Sequence, residues 1–362
     1  MKKKVFKLEV LKKEQVSAEA VSLFFKIPLA EKKAFHFKPG QFLTIIHTLE
    51  GESLRRSYSI CNDITDNSYV QIGVKKVKNG RMSRFLNEEV KVGDYLAVEV
   101  PMGRFTAELD STQYKSYYFF AAGSGITPIL SMVKSVLSVE PYSRVYVLYG
   151  NRNQEQIMFK GDLEILSERF ADRFTIIYLL SQPIRSWSEL WSTKTDFVYR
   201  KGRVDAINIA WFIKEYPPYA QNALYFICGP GSMIANTKAR LLGMDVPENR
   251  IAIERFGNLG TDVQSKGGMA ATAKVYIDEQ VYELKLKQGI TILKALLNSG
   301  ATPPYSCEGG VCGACACKLV KGAVLMANNS VLTEEELNAG WILSCQSTAN
   351  SKKLEVVFER EK

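Results

Sequence analysis

The chain has 362 residues, of which 46% are hydrophobic, and it carries a formal net charge of +9 at pH 7. This length predicts two or three domains with buried cores, and no run of about 18 apolar residues predicts a membrane-spanning helix. Because the basic residues are scattered and not interleaved with aromatic residues, the charge favours a large anionic cofactor or substrate over nucleic acid.

Residues 1–108 contain short segments of alternating hydrophobicity, separated by turn-forming pairs such as Pro39-Gly40 and Asn79-Gly80. This pattern predicts an antiparallel barrel or sandwich, with one short helix over 81–89. The predicted strands are Val5–Val10, Ala20–Ile27, Gln41–Ile46, Arg56–Ile60, Tyr69–Val74 and Tyr95–Val100.

Two motifs stand at the ends of elements in this first block. In Arg56-Ser-Tyr-Ser59, the guanidinium could pair with a phosphate, the tyrosine could cover a flat ring, and a hydroxyl could hydrogen-bond a ring heteroatom. Taken alone, the motif is more typical of an edge strand with a solvated arginine. Gly80-Arg-Met-Ser83 strengthens the first interpretation, because Gly80 opens a helix whose N-terminal amides and Ser83 hydroxyl could hold a pyrophosphate.

Residues 109–257 alternate apolar runs with helical patterns, which predicts a doubly wound parallel sheet. The loop Ala121-Ala-Gly-Ser-Gly-Ile-Thr-Pro128 follows the first of these strands, where such sheets bind ligands. It has the form G-x-G-x-x-P, so a plain turn between strand and helix remains an alternative. The predicted strands are 117–122, 144–149, 174–180, 223–228 and 250–256, and the predicted helices are 126–139, 159–170 and 232–242.

A second glycine motif, Cys228-Gly-Pro-Gly231, follows a later strand of this block. Cys228 is either a small buried side chain or one that faces a ligand ring. Residues 258–273 are rich in Gly, Thr, Ser and Ala and predict a flexible linker. Residues 274–362 predict a small α+β domain, with a hairpin over 274–287, helices at 291–298 and 333–336, and strands at 315–320 and 354–358.

Four cysteines in this last block, Cys307, Cys312, Cys315 and Cys345, follow the pattern C-x4-C-x2-C with a distant fourth cysteine. This spacing is typical of a plant-type [2Fe–2S] site. The alternatives are half of a zinc knuckle, which lacks its second C-x2-C hook here, and structural thiols or a disulfide. Because the N-terminus does not resemble a signal peptide, we expect a cytoplasmic protein, in which disulfides are rare.

These motifs occur together and in order, and the chain resembles the ferredoxin–NADP reductase superfamily with a plant-type ferredoxin fused at its C-terminus. Within it, the chain looks most like the reductase components of multicomponent oxygenases, especially phenylacetyl-CoA epoxidase reductases, in the run Ile72-Gly-Val-Lys…Gly80-Arg-Met-Ser83…Pro101-Met-Gly-Arg-Phe105. The resemblance covers the whole chain. It implies an FAD-binding β-barrel over 1–108, a nicotinamide-nucleotide-binding α/β domain over 109–257 and a β-grasp-like ferredoxin domain over 274–362.

The resemblance also implies roles for matching residues. Ser59, Cys228 and Glu254 would lie beside the reacting rings, and Phe256 would end the reductase module. The residues implied to hold FAD are Arg56, Ser57, Tyr58, Ser59, Gly80, Met82 and Ser83. Those implied to receive the pyridine nucleotide are Gly123, Gly125, Thr127, Pro128, Cys228, Gly229 and Pro230.

The sequence departs from the superfamily where the 2′-phosphate of NADPH is often bound, because Ser181-Gln182 stands in place of Ser-Arg. Arg152 or Arg185 could supply the missing charge, so the sequence favours NADPH and leaves NADH possible. The ferredoxin block also departs, since 273–362 holds ten basic and ten acidic residues, whereas free plant-type ferredoxins are usually acidic. A tethered domain has a high effective concentration and needs less charge steering.

The predicted function is electron transfer from NAD(P)H through FAD and the [2Fe–2S] cluster to an external acceptor, an oxygenase in the first place. A general ferredoxin or flavodoxin reductase, or the electron donor of another redox enzyme, shares every motif above. A redox sensor without turnover would be expected to have a degenerate flavin motif, and Arg56–Ser59 is intact. His36 and His47 are expected to be structural.

Overall fold

A computed structural model describes residues 5–184, 199–218, 222–256, 267–329 and 331–358. These residues form two compact units. One comprises 6–54 and 58–255, and the other comprises the described residues from Phe256 onward together with Val5 and Arg55–Ser57. In the described ranges, no helix has both the length and the apolarity to cross a membrane. Three predicted features lie outside these ranges. They are the domain boundary at 257/258, Arg185, and most of the linker over 258–273.

The first part of the chain forms the predicted antiparallel barrel. The sheet order is β4-β3-β6-β1-β2-β5, and the two edges meet where Ile60 pairs with Ile72 and the Cys61 N–H donates to the Gln71 carbonyl over 2.9 Å. Closure leaves no open sheet edge at this seam. The elements are β1 (Val5–Ser17), β2 (Ala20–Lys26), β3 (Phe42–Leu49), β4 (Glu52–Ser59), β5 (Tyr69–Lys75), α1 (Arg81–Glu88) and β6 (Tyr95–Glu99).

The next part forms the predicted parallel sheet, in the order β10-β9-β8-β7-β11-β12. The chain runs outward from β7 through β8 and β9 and then returns to β11, so the strand order reverses between β7 and β11. Ligands of such sheets bind at the carboxyl end of this switch point. The elements are β7 (Ser116–Ala122), α2 (Ile126–Val139), β8 (Arg144–Asn151), α3 (Lys160–Arg169), β9 (Phe174–Leu180), β10 (Arg200–Lys201), α4 (Ala206–Glu215), β11 (Ala223–Gly229), α5 (Gly231–Leu242) and β12 (Ile251–Arg255).

The barrel and the parallel sheet are joined by a row of serines on α2, which we call the serine row (Ser131, Ser135 and Ser138). Ser131 donates to the Asn62 carbonyl over 2.8 Å, Ser135 accepts from the Ile64 N–H over 3.2 Å, and Ser138 donates to Asp63. These serines share one helix face because residues four and three apart are neighbours on an α-helix. The loop that follows β4 is therefore fixed to the helix that follows the glycine-rich loop.

Close backbone approach adds to this joint. A Cβ on Gly73 of β5 would lie 2.7 Å from Thr127 and 2.9 Å from the Phe159 ring, so only glycine fits there. The Phe159 N–H donates to the Val16 carbonyl over 3.0 Å, and the Ala18 N–H donates to the Glu155 carbonyl over 2.9 Å. Main-chain and side-chain contacts together make the barrel and the parallel sheet one unit.

The C-terminal unit confirms the predicted α+β domain. Its main sheet has the order β14-β13-β19-β15-β17, with a second small sheet of β16 and β18, and α6 contributes Ile292 and Leu296 to a core with Val275 and Val356. Strand β13 begins at Ala271, so three residues of the predicted linker are strand. The elements are β13 (Ala271–Ile277), β14 (Gln280–Leu286), α6 (Ile292–Asn298), β15 (Ala316–Lys321), β16 (Val324–Met326), α7 (Glu334–Asn338), β17 (Trp341–Leu343), β18 (Ser347–Ala349) and β19 (Lys353–Phe358).

Candidate cofactor sites

The first predicted flavin motif occupies the end of β4. The Arg56 guanidinium is half-buried, its Nη1 donates to the Arg55 carbonyl over 2.7 Å, and no acidic side chain among the described residues forms an ion pair with it. Tyr58 packs against the barrel core and Ser59 is buried, while Ser57 is half-buried. A half-buried cation without an anionic partner fits a site for a phosphate.

The second flavin motif lies at the start of α1. Gly80 is the N-cap and provides no side-chain cap, so the first N–H groups of the helix are available to a ligand. The Ser83 hydroxyl accepts from the Val77 N–H and donates to the Gly80 carbonyl, both over 3.1 Å. Its single proton is thus used in the turn, and the backbone N–H groups of buried Met82 and of Ser83 are the better donors to an anion.

The glycine-rich loop lies against the carboxyl end of β11. Gly123 has φ +54°, and a Cβ on Gly125 would lie 2.1 Å from the Cys228 carbonyl oxygen. The Tyr149 hydroxyl donates to the Gly123 carbonyl, and the Thr127 hydroxyl donates to the Ser124 carbonyl, both over 2.9 Å. The loop is therefore held at the switch point, and Pro128 lies in the first turn of α2.

Cys228 and Glu254 are neighbours on adjacent parallel strands, because β11 and β12 pair them directly. Burial raises the pKa of the Cys228 thiol, and the nearby Glu254 raises it further. Burial also raises the pKa of Glu254 to about 8. Its Oε2 atom is shielded from water and has no hydrogen-bond partner among the described residues. Near neutral pH, Glu254 therefore holds a proton beside a neutral thiol. Gly229 and exposed Pro230 continue from this strand end toward α5.

The structure brings the main chain of Arg152 beside Ser181-Gln182, at the ends of the neighbouring parallel strands β8 and β9. The Gln182 N–H donates to the Arg152 carbonyl over 2.7 Å, and the Ser181 N–H donates to the Asn151 carbonyl over 3.1 Å. The Gln154 side chain bonds both the N–H and the carbonyl of Ile184, each over 3.0 Å. The Arg152 side chain itself is exposed, and it forms no ion pair with an acidic side chain among the described residues.

The four predicted cluster ligands come as two pairs, Cys307 with Cys312 and Cys315 with Cys345, each within hydrogen-bonding reach. Among the described residues, no group of three or more His, Cys, Asp or Glu side chains could hold a single metal ion. All seven cysteines are free. Cys317 lies in the core of the main sheet and Cys61 in the core beneath the parallel sheet.

Within each cysteine pair, the hydrogen bond between the two thiols lowers the pKa of one cysteine, Cys307 or Cys345, and raises that of its partner, Cys312 or Cys315. The Cys312 thiol and the N–H groups of Val311, Gly309 and Cys312 lower the pKa of Cys307 to about 6. The Cys315 thiol and the Gln346 side chain likewise lower the pKa of Cys345. The thiolate is the metal-ligating form, and the N–H groups of Val311, Gly309 and Cys312 would stabilise it at Cys307.

Two residues of this site were not predicted from the sequence. Gln346 and Asn328 donate to the carbonyls of Glu308 and Gly309 over 2.7 and 2.6 Å. The position of Gln346 next to Cys345 is the only sequence signal for either of them. Neither side chain is a ligand type for iron, so the spacing of the cysteines carries no information about them.

Comparisons with known proteins show which domains the chain contains. Family models match residues 7–107 as "Oxidoreductase FAD-binding domain", 119–239 as "Oxidoreductase NAD-binding domain" and 275–350 as "2Fe-2S iron-sulfur cluster binding domain". The chain is 33% identical over 358 residues to a component of the 1,2-phenylacetyl-CoA epoxidase of Escherichia coli K12, covering 97% of both chains. It is 32% identical to the 3-ketosteroid-9-alpha-monooxygenase ferredoxin reductase component of Mycobacterium tuberculosis H37Rv, covering 98% of this chain and 96% of the relative.

A solved structure shares the fold over the full length. Phthalate dioxygenase reductase matches with a TM-score of 0.58 and 23% identity, covering 98% of both chains. The predicted fold class and the predicted set of FAD, nicotinamide nucleotide and [2Fe–2S] domains are thereby confirmed.

Proposed function

The chain belongs to the family of FAD- and [2Fe–2S]-containing reductase components of multicomponent oxygenases, and on this premise we propose that it takes electrons from NADPH and delivers them singly to an oxygenase component. The observation that carries the proposal is the similarity over 98% of the chain to such a reductase component, with all three domain types in one order. When bound, FAD supplies the conversion of a two-electron hydride into single electrons, and the cluster supplies a one-electron carrier.

In this proposal the barrel residues hold FAD. Arg56 and the N-terminal N–H groups of α1 bind its pyrophosphate, Gly80 leaves room for that approach, and Tyr58 and Ser59 bind its ring system. A tyrosine ring gives a flat apolar surface and a hydroxyl gives a hydrogen bond. Arg56 is half-buried without an acidic partner among the described residues, which supports this assignment.

The parallel sheet binds the nucleotide in the loop Gly123–Pro128, with Cys228 and Gly229 beside the nicotinamide. Buried Cys228 is neutral and excludes water from the reacting position, and Glu254 holds a proton there. Exposed Arg152, beside Ser181, pairs with the 2′-phosphate and gives the preference for NADPH. Cys307, Cys312, Cys315 and Cys345 ligate the cluster. A cytoplasmic location is part of the proposal, because seven free cysteines suit a reducing compartment.

The acceptor proposed first is the oxygenase component of a phenylacetyl-CoA epoxidase, since a component of such an epoxidase is 33% identical over 358 residues. The oxygenase component of a 3-ketosteroid monooxygenase is the second candidate, because its reductase is 32% identical over 369 residues.

The test supplies purified, fully loaded protein with NADPH or NADH under anaerobic conditions, followed by each oxygenase component in turn. We expect NADPH to bleach the flavin absorption and then the iron–sulfur absorption, and one oxygenase to reoxidise both. If neither nucleotide bleaches the flavin, the electron-transfer function is wrong. If bleaching occurs but neither oxygenase accepts electrons, the acceptor assignment alone is wrong.

A further inference from the structure

Gln346 is a buried glutamine whose backbone is fixed on both sides. Its N–H donates to the Leu343 carbonyl over 2.9 Å, and its carbonyl accepts from the Ala327 N–H over 3.0 Å. The residue is 4% exposed. The side chain therefore starts from a rigid point between β17 and β18, and its amide has a defined place in the cysteine loop.

The amide of Gln346 bonds a residue of that loop, Glu308, that has an uncommon backbone conformation. Nε2 donates to the Glu308 carbonyl over 2.7 Å, and Glu308 has φ +53°, which is uncommon for a residue other than glycine. The left-handed conformation at Glu308 turns the chain directly after Cys307. A neutral, buried donor to the Glu308 carbonyl stabilises this turn, so Gln346 helps to fix the position of Cys307.

The same amide also reaches a cysteine. Gln346 Nε2 lies 3.2 Å from the Cys345 carbonyl oxygen and 3.5 Å from Cys345 Sγ, and 3.5 Å is hydrogen-bonding distance for sulfur. On the other side, a Cβ on Gly310 would lie 2.8 Å from Gln346 Cγ and 2.7 Å from the Asn328 carbonyl oxygen, so the loop packs directly against the glutamine. Gln346 thus contacts both arms of the cysteine site, the loop from Cys307 and the strand end at Cys345.

We propose that Gln346 is a positioning residue for the iron–sulfur site, which holds the Cys307 loop through the Glu308 carbonyl and donates an N–H to the Cys345 sulfur. The inference rests on the proposed ligand role of these cysteines. Hydrogen bonds to the ligand sulfurs help to set the reduction potential of such clusters, and outer partners of ligands affect how firmly the metal is held. A donor to sulfur stabilises the more negative, reduced cluster, so Gln346 raises the midpoint potential.

Asn328 provides a matched control. It is exposed, and its Nδ2 donates to the Gly309 carbonyl over 2.6 Å, next to the bond that Gln346 makes. That bond reaches the main chain of the loop, whereas Gln346 also reaches the Cys345 sulfur. A second control is Gln280, an exposed glutamine of β14 that accepts from the Tyr282 hydroxyl. Gln280→Glu adds the same charge as Gln346→Glu without touching the cysteine loop.

The experiment uses full-length loaded protein and measures the midpoint potential of the cluster, its electron paramagnetic resonance signal and the half-life of its absorption in excess chelator. We expect Gln346→Leu and Gln346→Glu to lose the cluster several-fold faster. We expect Gln346→Glu to shift the one-electron equilibrium toward the oxidised cluster by about tenfold, which is about 59 mV. Asn328→Ala should speed cluster loss without moving the potential, and Gln280→Glu should change neither.

The outcomes separate the inference from the function on which it rests. If both Gln346 variants keep the wild-type potential and half-life, or if Gln280→Glu shifts the potential as much as Gln346→Glu, the proposal is overturned. Loss of the cluster from both Gln346 variants, with flavin absorption intact and Asn328→Ala still loaded, supports it. Absence of a [2Fe–2S] signal from the wild-type protein contradicts the ligand assignment instead.

Discussion

Substitution of Gly125 by alanine tests whether the glycine-rich loop must lie against β11. The new Cβ would meet the Cys228 carbonyl oxygen at 2.1 Å and its carbonyl carbon at 2.6 Å, whereas ordinary carbon–oxygen contacts are longer than about 3.2 Å. Both obstacles are backbone atoms of a central strand and cannot rotate away. The start of α2 must therefore move by about 1 Å, although the serine row fixes the rest of that helix.

The free-energy cost of this clash can appear as lower stability of the fold or as weaker nucleotide binding. Overpacking by one methyl group costs about 1–3 kcal/mol. If the loop does not move, this lowers Tm by about 2–12 °C for a unit of this size. If the loop moves, the same free energy weakens NADPH binding by about 5- to 150-fold. We expect most of this free-energy cost to appear as weaker binding, since the loop can move toward the side on which the nucleotide binds.

The assay compares Tm and the KM for NADPH in Gly125→Ala and Gly161→Ala. Gly161 is a suitable control because a Cβ there meets nothing within 4 Å, and it lies in α3. Alanine at that helical position should leave KM unchanged and Tm equal or slightly raised. The reasoning is refuted if the two variants have the same Tm and the same KM.

Four further substitutions have expected outcomes. Arg152→Ala should raise the KM for NADPH about 10- to 100-fold, because a charged hydrogen bond is worth about 1.5–3 kcal/mol; an equal rise for NADH would contradict the 2′-phosphate role. Cys312→Ser should remove the iron–sulfur absorption while NADPH still bleaches the flavin, and Cys317→Ala should keep both; a cluster retained in Cys312→Ser would contradict the ligand assignment. The raised pKa of Glu254, about 8 against 4.5, contributes stability that is present below about pH 4.5 and lost as pH rises through 8, by up to about 5 kcal/mol. Glu254→Gln should abolish this pH dependence of the urea unfolding midpoint, and an identical pH profile in both proteins would contradict the buried, protonated state.

The sequence predicted those elements whose pattern is local. Periodicity and cap residues within a few positions predict the barrel strands, the parallel strands other than β10, and helix α7 with its Thr333 and Glu336 capping box. Helix α4 was missed although Asp205 caps it through the Asn208 N–H over 2.9 Å. Its apolar residues are nearly continuous from Ala206 to Ile213, which hides the helical period.

The parts that were missed depend on distant partners. Strands β16, β17 and β18 have three residues each and gain their hydrogen bonds from segments far along the chain. The same is true of Gln346, whose partner Glu308 lies 38 positions away. For the cofactor sites, the candidate ligand cysteines and the glycines were proposed from spacing alone, whereas the donors that hold these segments are visible only in the folded chain.

The serine row has a consequence for how this architecture can be recombined. Three family models divide the chain into three domains, but Ser131 and Ser135 bond the main chain of Asn62 and Ile64 across the boundary between the first two. A chimera that exchanges only the barrel would have to bring a loop of the same shape to meet these hydroxyls. The smallest part that can be exchanged between relatives is therefore the barrel and the parallel sheet together.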